Sequence, residues 1–201
     1  FLLGNIGDLP AGDVVQEAMD TDPASLDGWA LSELARVQGE VRDAFTRHAF
    51  REAHQAIFDF CNDTLSSVYC AAAKDRLYCD RADAPRRRQT QRVMRLAAES
   101  LCRLLAPVLP HTADEAFRSM HGPDACVHLA SHLNFGFTAH AGWPAAMAAR
   151  AAALKALEEA KVRGVENPLD AGLTLPDADG TLKPFTGELA DLCGEIGRAH
   201  V

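Results

Sequence analysis

Ala30, Leu34, Val37, Val41 and Phe45 follow one another at gaps of four, three, four and four residues, and this rhythm limits the chain more than any other feature. Such spacing gathers the apolar side chains into one stripe of an α-helix. A stripe of that width must be covered, so the helix it predicts, from about Pro23 to His48, needs helical partners. Asp22-Pro23 reads as its start, an N-cap followed by proline at the first helical position. Trp29 lies beside the stripe. Residues 1–22 read as a helix remnant, a loop and a short turn.

The partners are present. A second helix is expected from about Phe50 to Ala73, burying Ala53, Ile57, Phe60, Leu65, Val68 and Ala72 or their immediate neighbours. Lys74 to Asp80 either extends it or turns out of it. A third helix is expected from Pro85 to Leu105, because proline is tolerated at its first turn and Pro107 forbids continuation. Thr112-Ala113-Asp114-Glu115 reads as a capping box that opens a short helix ending near His121-Gly122. Residues 122–143 are loop-like, and Trp143-Pro144 begins a fourth long helix over Ala145 to Lys161. Beyond Gly164 the pattern changes. Asn167-Pro168 turns the chain, Leu169, Ala171, Leu173 and Leu175 alternate with polar or small residues as in a strand, and Asp179-Gly180 reads as a hairpin-type turn. Thr186 to Ile196 reads as helix. The fold expected is mainly α: an antiparallel helical bundle over residues 1–143, then a helix and a small, truncated α/β appendage over residues 144–201.

Charge narrows the function. The formal net charge is −8, which excludes a generally basic nucleic-acid binder and confines any polyanion partner to a local patch. One exists: Lys74 to Arg103 carries +5 and leaves −13 for the remainder. On a helical wheel Arg88, Arg92, Arg95, Glu99 and Arg103 share one direction, while Val93, Ala97, Leu101, Leu104 and Val108 point the other way. Arg86, Arg87 and Arg88 fall in the first turn, where the helix dipole disfavours cations by about 0.3–1 kcal/mol each. Helix stability therefore does not explain them. They adjoin Lys74, Arg76 and Tyr78 in sequence. Guanidinium forks match phosphate oxygens, and an aromatic ring can stack on a splayed base, so the candidate contacts for a structured RNA are Lys74, Arg76, Tyr78, Arg86, Arg87, Arg88, Arg92 and Arg95. For Lys74-Asp75-Arg76 the alternative assignment, not exclusive of RNA contact, is an intramolecular ion-pair network that orders the helix junction. For the whole chain it is a helical protein-interaction scaffold without nucleic-acid binding, and that alternative predicts arginines capped by carboxylates.

Other chemistry is thinly represented. The six cysteines form no C-x-x-C pair and read as buried thiols; Cys61 and Cys70, nine residues apart, fall about half a turn out of phase on an α-helix. His128 and His132 have i, i+4 spacing but no nearby carboxylate, and His111 reads as ordering a connector. No phosphate-binding glycine loop, nucleophile elbow or dinucleotide fingerprint occurs, so no catalytic residue and no metal site is assigned. No apolar run reaches the roughly 20 residues of a membrane span. The chain opens on Phe1-Leu2-Leu3-Gly4-Asn5 without an initiator Met or a basic leader, as expected of a fragment.

Several segments together resemble the bacterial-type isoleucyl-tRNA synthetases. Phe1 to Ile6 is similar to F-L-L-G-N-L, and Leu26-Asp27-Gly28-Trp29-Ala30-Leu31 to L-D-x-W-A-L. Phe60-Cys61, Leu65 to Tyr69 and Lys74-Asp75-Arg76-Leu77-Tyr78 resemble F-C-x3-L-S-x2-Y-x4-K-D-R-L-Y. Arg87-Arg88-Gln89-Thr90 resembles R-R-x-x-Q-T with a residue missing, and Leu105 to Glu115 resembles L-A-P-I-L-P-H-T-A-D-E. Ala71 departs from the family's usual Asp, and the loop 122–142 matches none of its motifs. The family's H-I-G-H and K-M-S-K-S motifs are absent from this sequence. The resemblance implies a non-catalytic anticodon-arm recognition domain. It implies a cytoplasmic, monomeric parent that charges tRNA(Ile) with isoleucine, using ATP with magnesium. That parent carries a zinc in a C-terminal region beyond this sequence.

Overall fold

The computed structural model describes residues 1–10, 12–162, 173–177, 179–193 and 199–200. Its elements are helices α1 (Leu2–Asn5), α2 (Val14–Met19), α3 (Leu26–Thr46), α4 (Phe50–Asp59), α5 (Cys70–Ala72), α6 (Lys74–Tyr78), α7 (Pro85–Leu105), α8 (Pro110–His121), α9 (Trp143–Val162) and α10 (Thr186–Leu192). The fold is mainly helical. Helix α3 packs on α4 and on α7, and α7 in turn carries α1, α2, α6 and α8.

The stripe on α3 is buried as expected at Ala30, Leu34, Val37 and Val41, with Phe45 half-buried. Its start differs. Asp22 Oδ1 accepts the Ala24 amide at 2.9 Å and closes a turn around Pro23. Ser25 then caps the helix, its Oγ accepting the Gly28 amide at 3.0 Å. Gly28 is needed there: a Cβ would stand 2.3 Å from the Asp22 carbonyl oxygen.

The predicted second helix runs without a break from Phe50 to Ala72, but Phe60–Tyr69 is a π-helix. Its i→i+5 bonds take almost one more residue into each turn. Phe60, Leu65 and Tyr69 stay buried along it. Nine residues then make about two turns, so Cys61 and Cys70 come back near the same side, which corrects the half-turn offset expected of an α-helix. All six cysteines are free, and Cys79 is exposed rather than buried.

Helix α7 has the predicted bounds, with Pro85 in its first turn. The capping box does not form, because α8 begins at Pro110, which places Thr112 inside the first turn. Gly122, at φ 97°, ends α8 in backbone that L side chains rarely adopt. Asp179-Gly180 turns into a 3-10 segment and α10 rather than into a hairpin. Residues 163–172, with Asn167-Pro168 and the first part of the predicted strand, and residues 194–198 lie outside the described residues. Leu173–Thr174 pairs in parallel with Ala199–His200, two residues on each side, which does not amount to a sheet layer.

Trp143, Ala146 and Ala153 of α9, together with Phe185, Leu189 and Leu192, belong to the same apolar core as α3 and α7. A smaller cluster of Cys102, Ala106, Ala113, Phe117 and Val127 joins α7 to α8.

Candidate nucleic-acid interface

The short helix α6 divides the Lys74 to Tyr78 segment into two faces. Lys74 and Tyr78 are exposed, Tyr78 at 65%, and neither makes a hydrogen bond or ion pair among the described residues. Arg76 and Leu77 turn inward. Arg76 is 2% exposed and sits among three carboxylates. Its Nε donates to Asp191 Oδ2 at 2.8 Å, its Nη2 to Glu188 Oε2, and its Nη1 to Asp27 Oδ2 at 3.4 Å. Burial alone would disfavour the guanidinium charge, but Asp27, Glu188 and Asp191 outweigh it and hold the cation more firmly. The expected RNA contact at Arg76 is thereby corrected. The residue is an internal pin of the helix junction, so the ion-pair alternative holds for Arg76, while the exposed Lys74 and Asp75 make no ion pair among the described residues.

Asp27 is the most buried of the three carboxylates. Its Oδ1 accepts the Tyr69 hydroxyl at 2.6 Å and its Oδ2 the Thr90 hydroxyl at 3.0 Å. Burial pushes its carboxyl up, against the opposing pull of Arg76, Tyr69 and Thr90. Burial first, and then the Asp27 carboxylate, push the Tyr69 phenol well above its ordinary range. Glu188 also accepts the Leu26 amide at 2.9 Å, so α10 closes the first turn of α3.

The arginines of α7 do not form an open row. Arg86, 49% exposed, holds Asp80 through two bonds at 3.0 and 3.2 Å and reaches Asp191 at 3.5 Å. Arg87 and Arg88 share Asp8, at 3.1 and 3.2 Å, and Arg88 Nη1 also donates to the Asp8 carbonyl oxygen at 2.7 Å. Arg92 Nε lies 3.2 Å from Glu17, and Arg95 Nε donates to Glu99 at 3.2 Å. Glu99 is itself buried and takes Arg103 and His121 as further partners. Every arginine of the set therefore meets a carboxylate, which is the arrangement the scaffold alternative predicts. The outward cationic face read from the wheel fails for a physical reason. Helix α7 is covered on two sides, by α3 and by α1, α2 and α8, so Gln91 and Glu99 are buried as fully as Val93 and Ala97. Val108, assigned to the apolar side, lies beyond the helix and is exposed.

Within the set, Lys74, Tyr78 and Arg86 remain most accessible, while Arg87, Arg88, Arg92 and Arg95 are half-buried. Sequence reasoning missed Asp8, Glu17, Asp27, Glu188 and Asp191 as their partners. No local signal marks them, since Asp191 stands 115 residues from Arg76 and Asp8 stands 80 from Arg88.

A family profile described as "Anticodon-binding domain of tRNA ligase" matches residues 27–167. Among curated proteins, the isoleucine–tRNA ligase of Brevibacillus brevis is 37% identical over 96% of this chain and 22% of its own length. That of Geobacter sulfurreducens is 36% identical with the same coverage, and that of Carboxydothermus hydrogenoformans is 33% identical over 98% of the chain and 22% of its own length. The chain thus spans about a fifth of the length of these relatives.

Proposed function

The chain belongs to the anticodon-binding domain family of tRNA ligases, and from that membership we propose that it grips the anticodon arm of tRNA(Ile) as one part of an isoleucine–tRNA ligase. The match over residues 27–167 carries this reading. The arginine row does not carry it, because its guanidiniums are occupied. The sequence holds none of the motifs that activate an amino acid, so the proposed role is recognition. Charging of tRNA(Ile) with isoleucine, the use of ATP with magnesium, the zinc of a C-terminal region, a monomeric state and a cytoplasmic setting are proposed for the parent alone.

On the surface available, Lys74 and Tyr78 are the first proposed contacts, a point charge for phosphate and a ring for stacking. Arg86 and Arg92 come next through their exposed edges. Arg87, Arg88 and Arg95 would engage phosphate by exchanging it for the carboxylate each now holds. Arg76 serves as a positioning residue beneath them. Residues 1–143 form the proposed RNA-facing bundle, and residues 144–201 are proposed to open a small α/β module that continues in the parent.

The test is a filter-binding titration of the chain with tRNA(Ile) and with a tRNA of unrelated anticodon. Tighter retention of tRNA(Ile) is expected. Equal and salt-insensitive retention of both, or none, would replace this reading with that of a protein-interaction scaffold.

A further inference from the structure

One cleft of about 440 Å³ lies between α3 and the segment 133–135 and is lined by no residue of α6 or α7. We infer that it takes a single unstacked ribonucleotide, its base against Gln38 and Phe135 and its phosphate toward Arg42. The inference rests on the RNA reading above and adds a contact that the sequence did not single out.

Three observations carry it. Gln38 lines the cleft, is only 5% exposed, and its amide nitrogen is buried without a hydrogen-bond partner among the described residues. A buried donor left unmade is costly, so a guest that accepts from it is favoured. Arg42 is exposed at the same cleft and makes no ion pair among the described residues; its Nη1 donates only to Asn134 Oδ1, at 3.3 Å. It differs in this from every arginine of the α7 row. Asp43, the acid on the wall, is held by Arg47 at 2.9 Å, which leaves Arg42 as the uncompensated charge.

The chemistry fits one kind of guest. A carboxamide presents a donor and an acceptor side by side, the pattern that reads a base edge. The half-buried Phe135 offers a ring beside it. A guanidinium at the rim suits a phosphate.

The test uses the whole chain, labelled with ¹⁵N, and two probes. The four ribonucleoside 5′-monophosphates are titrated while the Gln38 side-chain amide signals are followed. A fluorescent anticodon-arm hairpin is titrated by anisotropy into wild type, Gln38→Met and Arg42→Ala. Nucleotide is expected to move the Gln38 signals, and each variant to bind the hairpin about tenfold more weakly. Gln38→Met is expected to keep or raise Tm, because it removes an unpartnered donor, so loss of binding is not loss of fold. Gln38 signals that ignore nucleotide, or a hairpin that binds wild type and Gln38→Met alike, overturn the cleft and leave the anticodon reading intact. A wild-type chain that ignores the hairpin while nucleotide shifts Gln38 overturns the anticodon reading and keeps the cleft.

Discussion

Arg76 and Asp191 lie 115 residues apart in sequence, yet the Nε of one donates to the Oδ2 of the other at 2.8 Å inside the helix junction. This bond, with those to Glu188 and Asp27, ties α6 to α10 and to the start of α3. Arg76→Met keeps the volume and removes the charge, leaving three carboxylates facing one another. Loss of one partner from a buried ion cluster costs about 3–5 kcal/mol. Urea denaturation of the variant is expected to show a loss of that size. A loss under about 1 kcal/mol, the scale of an exposed pair, contradicts the pinning role.

The ends of α7 were legible because Pro85 and Pro107 constrain the backbone locally, whatever the tertiary context. The start of α3 was not, since Asp22 and Ser25 both suit an N-cap and only the fold selects Ser25. The π-helix was not read from the sequence either, although Phe60, Leu65 and Tyr69, at gaps of five and four, share one face only under the wider winding. The partners of the candidate site were less legible still. A helical wheel assumes one wet face, and the partners of Arg76 and Arg88 lie on elements that only the fold brings near. Lys74 and Tyr78, by contrast, were placed on the surface by their own short helix.

Asp8 holds both Arg87 and Arg88, so under the proposed RNA contact it would compete with phosphate for them. Its carboxyl would rise with burial, but the Gln91 hydrogen bond and the two arginine charges hold it below the ordinary carboxylate value. Asp8→Ala is expected to tighten tRNA binding and steepen its dependence on salt. Arg87→Ala with Arg88→Ala is expected to weaken binding and flatten that dependence, by about one unit of log–log slope for each phosphate no longer neutralised. Filter-binding titrations across a salt series measure both. If neither variant moves affinity or slope, these arginines are structural.

Asp80 sets a pH dependence. The hydrogen bonds from Arg86 hold its carboxyl below the usual value, with burial opposing and the Arg86 charge assisting. A carboxyl depressed in the folded state contributes stability above its unfolded pKa, and loses it as pH falls through the folded value. The contribution is therefore complete above about pH 4 and fades below it. Thermal melts of wild type and Asp80→Asn are expected to differ at neutral pH and to converge in acid. A Tm difference that stays constant from neutral to strongly acid pH rules out the Asp80–Arg86 pair as its source.

Gly28 reverses the ordinary rule for glycine in a helix. Elsewhere in a helix interior Gly→Ala stabilises by about 0.5–1 kcal/mol, through propensity and the entropy of the unfolded chain. Here the added methyl would stand 2.3 Å from the Asp22 carbonyl oxygen and 3.0 Å from Pro23 Cα. Both are backbone atoms, so no side chain can swing aside. The turn would have to move, and it is held: Asp22 caps Ala24, the Ser25 hydroxyl donates to the Asp22 carbonyl at 2.6 Å, and Trp143 and His140 both donate to the Pro23 carbonyl. Gly28→Ala is expected to destabilise by about 1–3 kcal/mol, the range for overpacking. The adjacent Trp29–Trp143 pair, with ring centroids 5.9 Å apart, should report the shift in its fluorescence. A variant as stable as wild type, with unchanged tryptophan emission, means that this turn yields freely and does not fix the entry of α3.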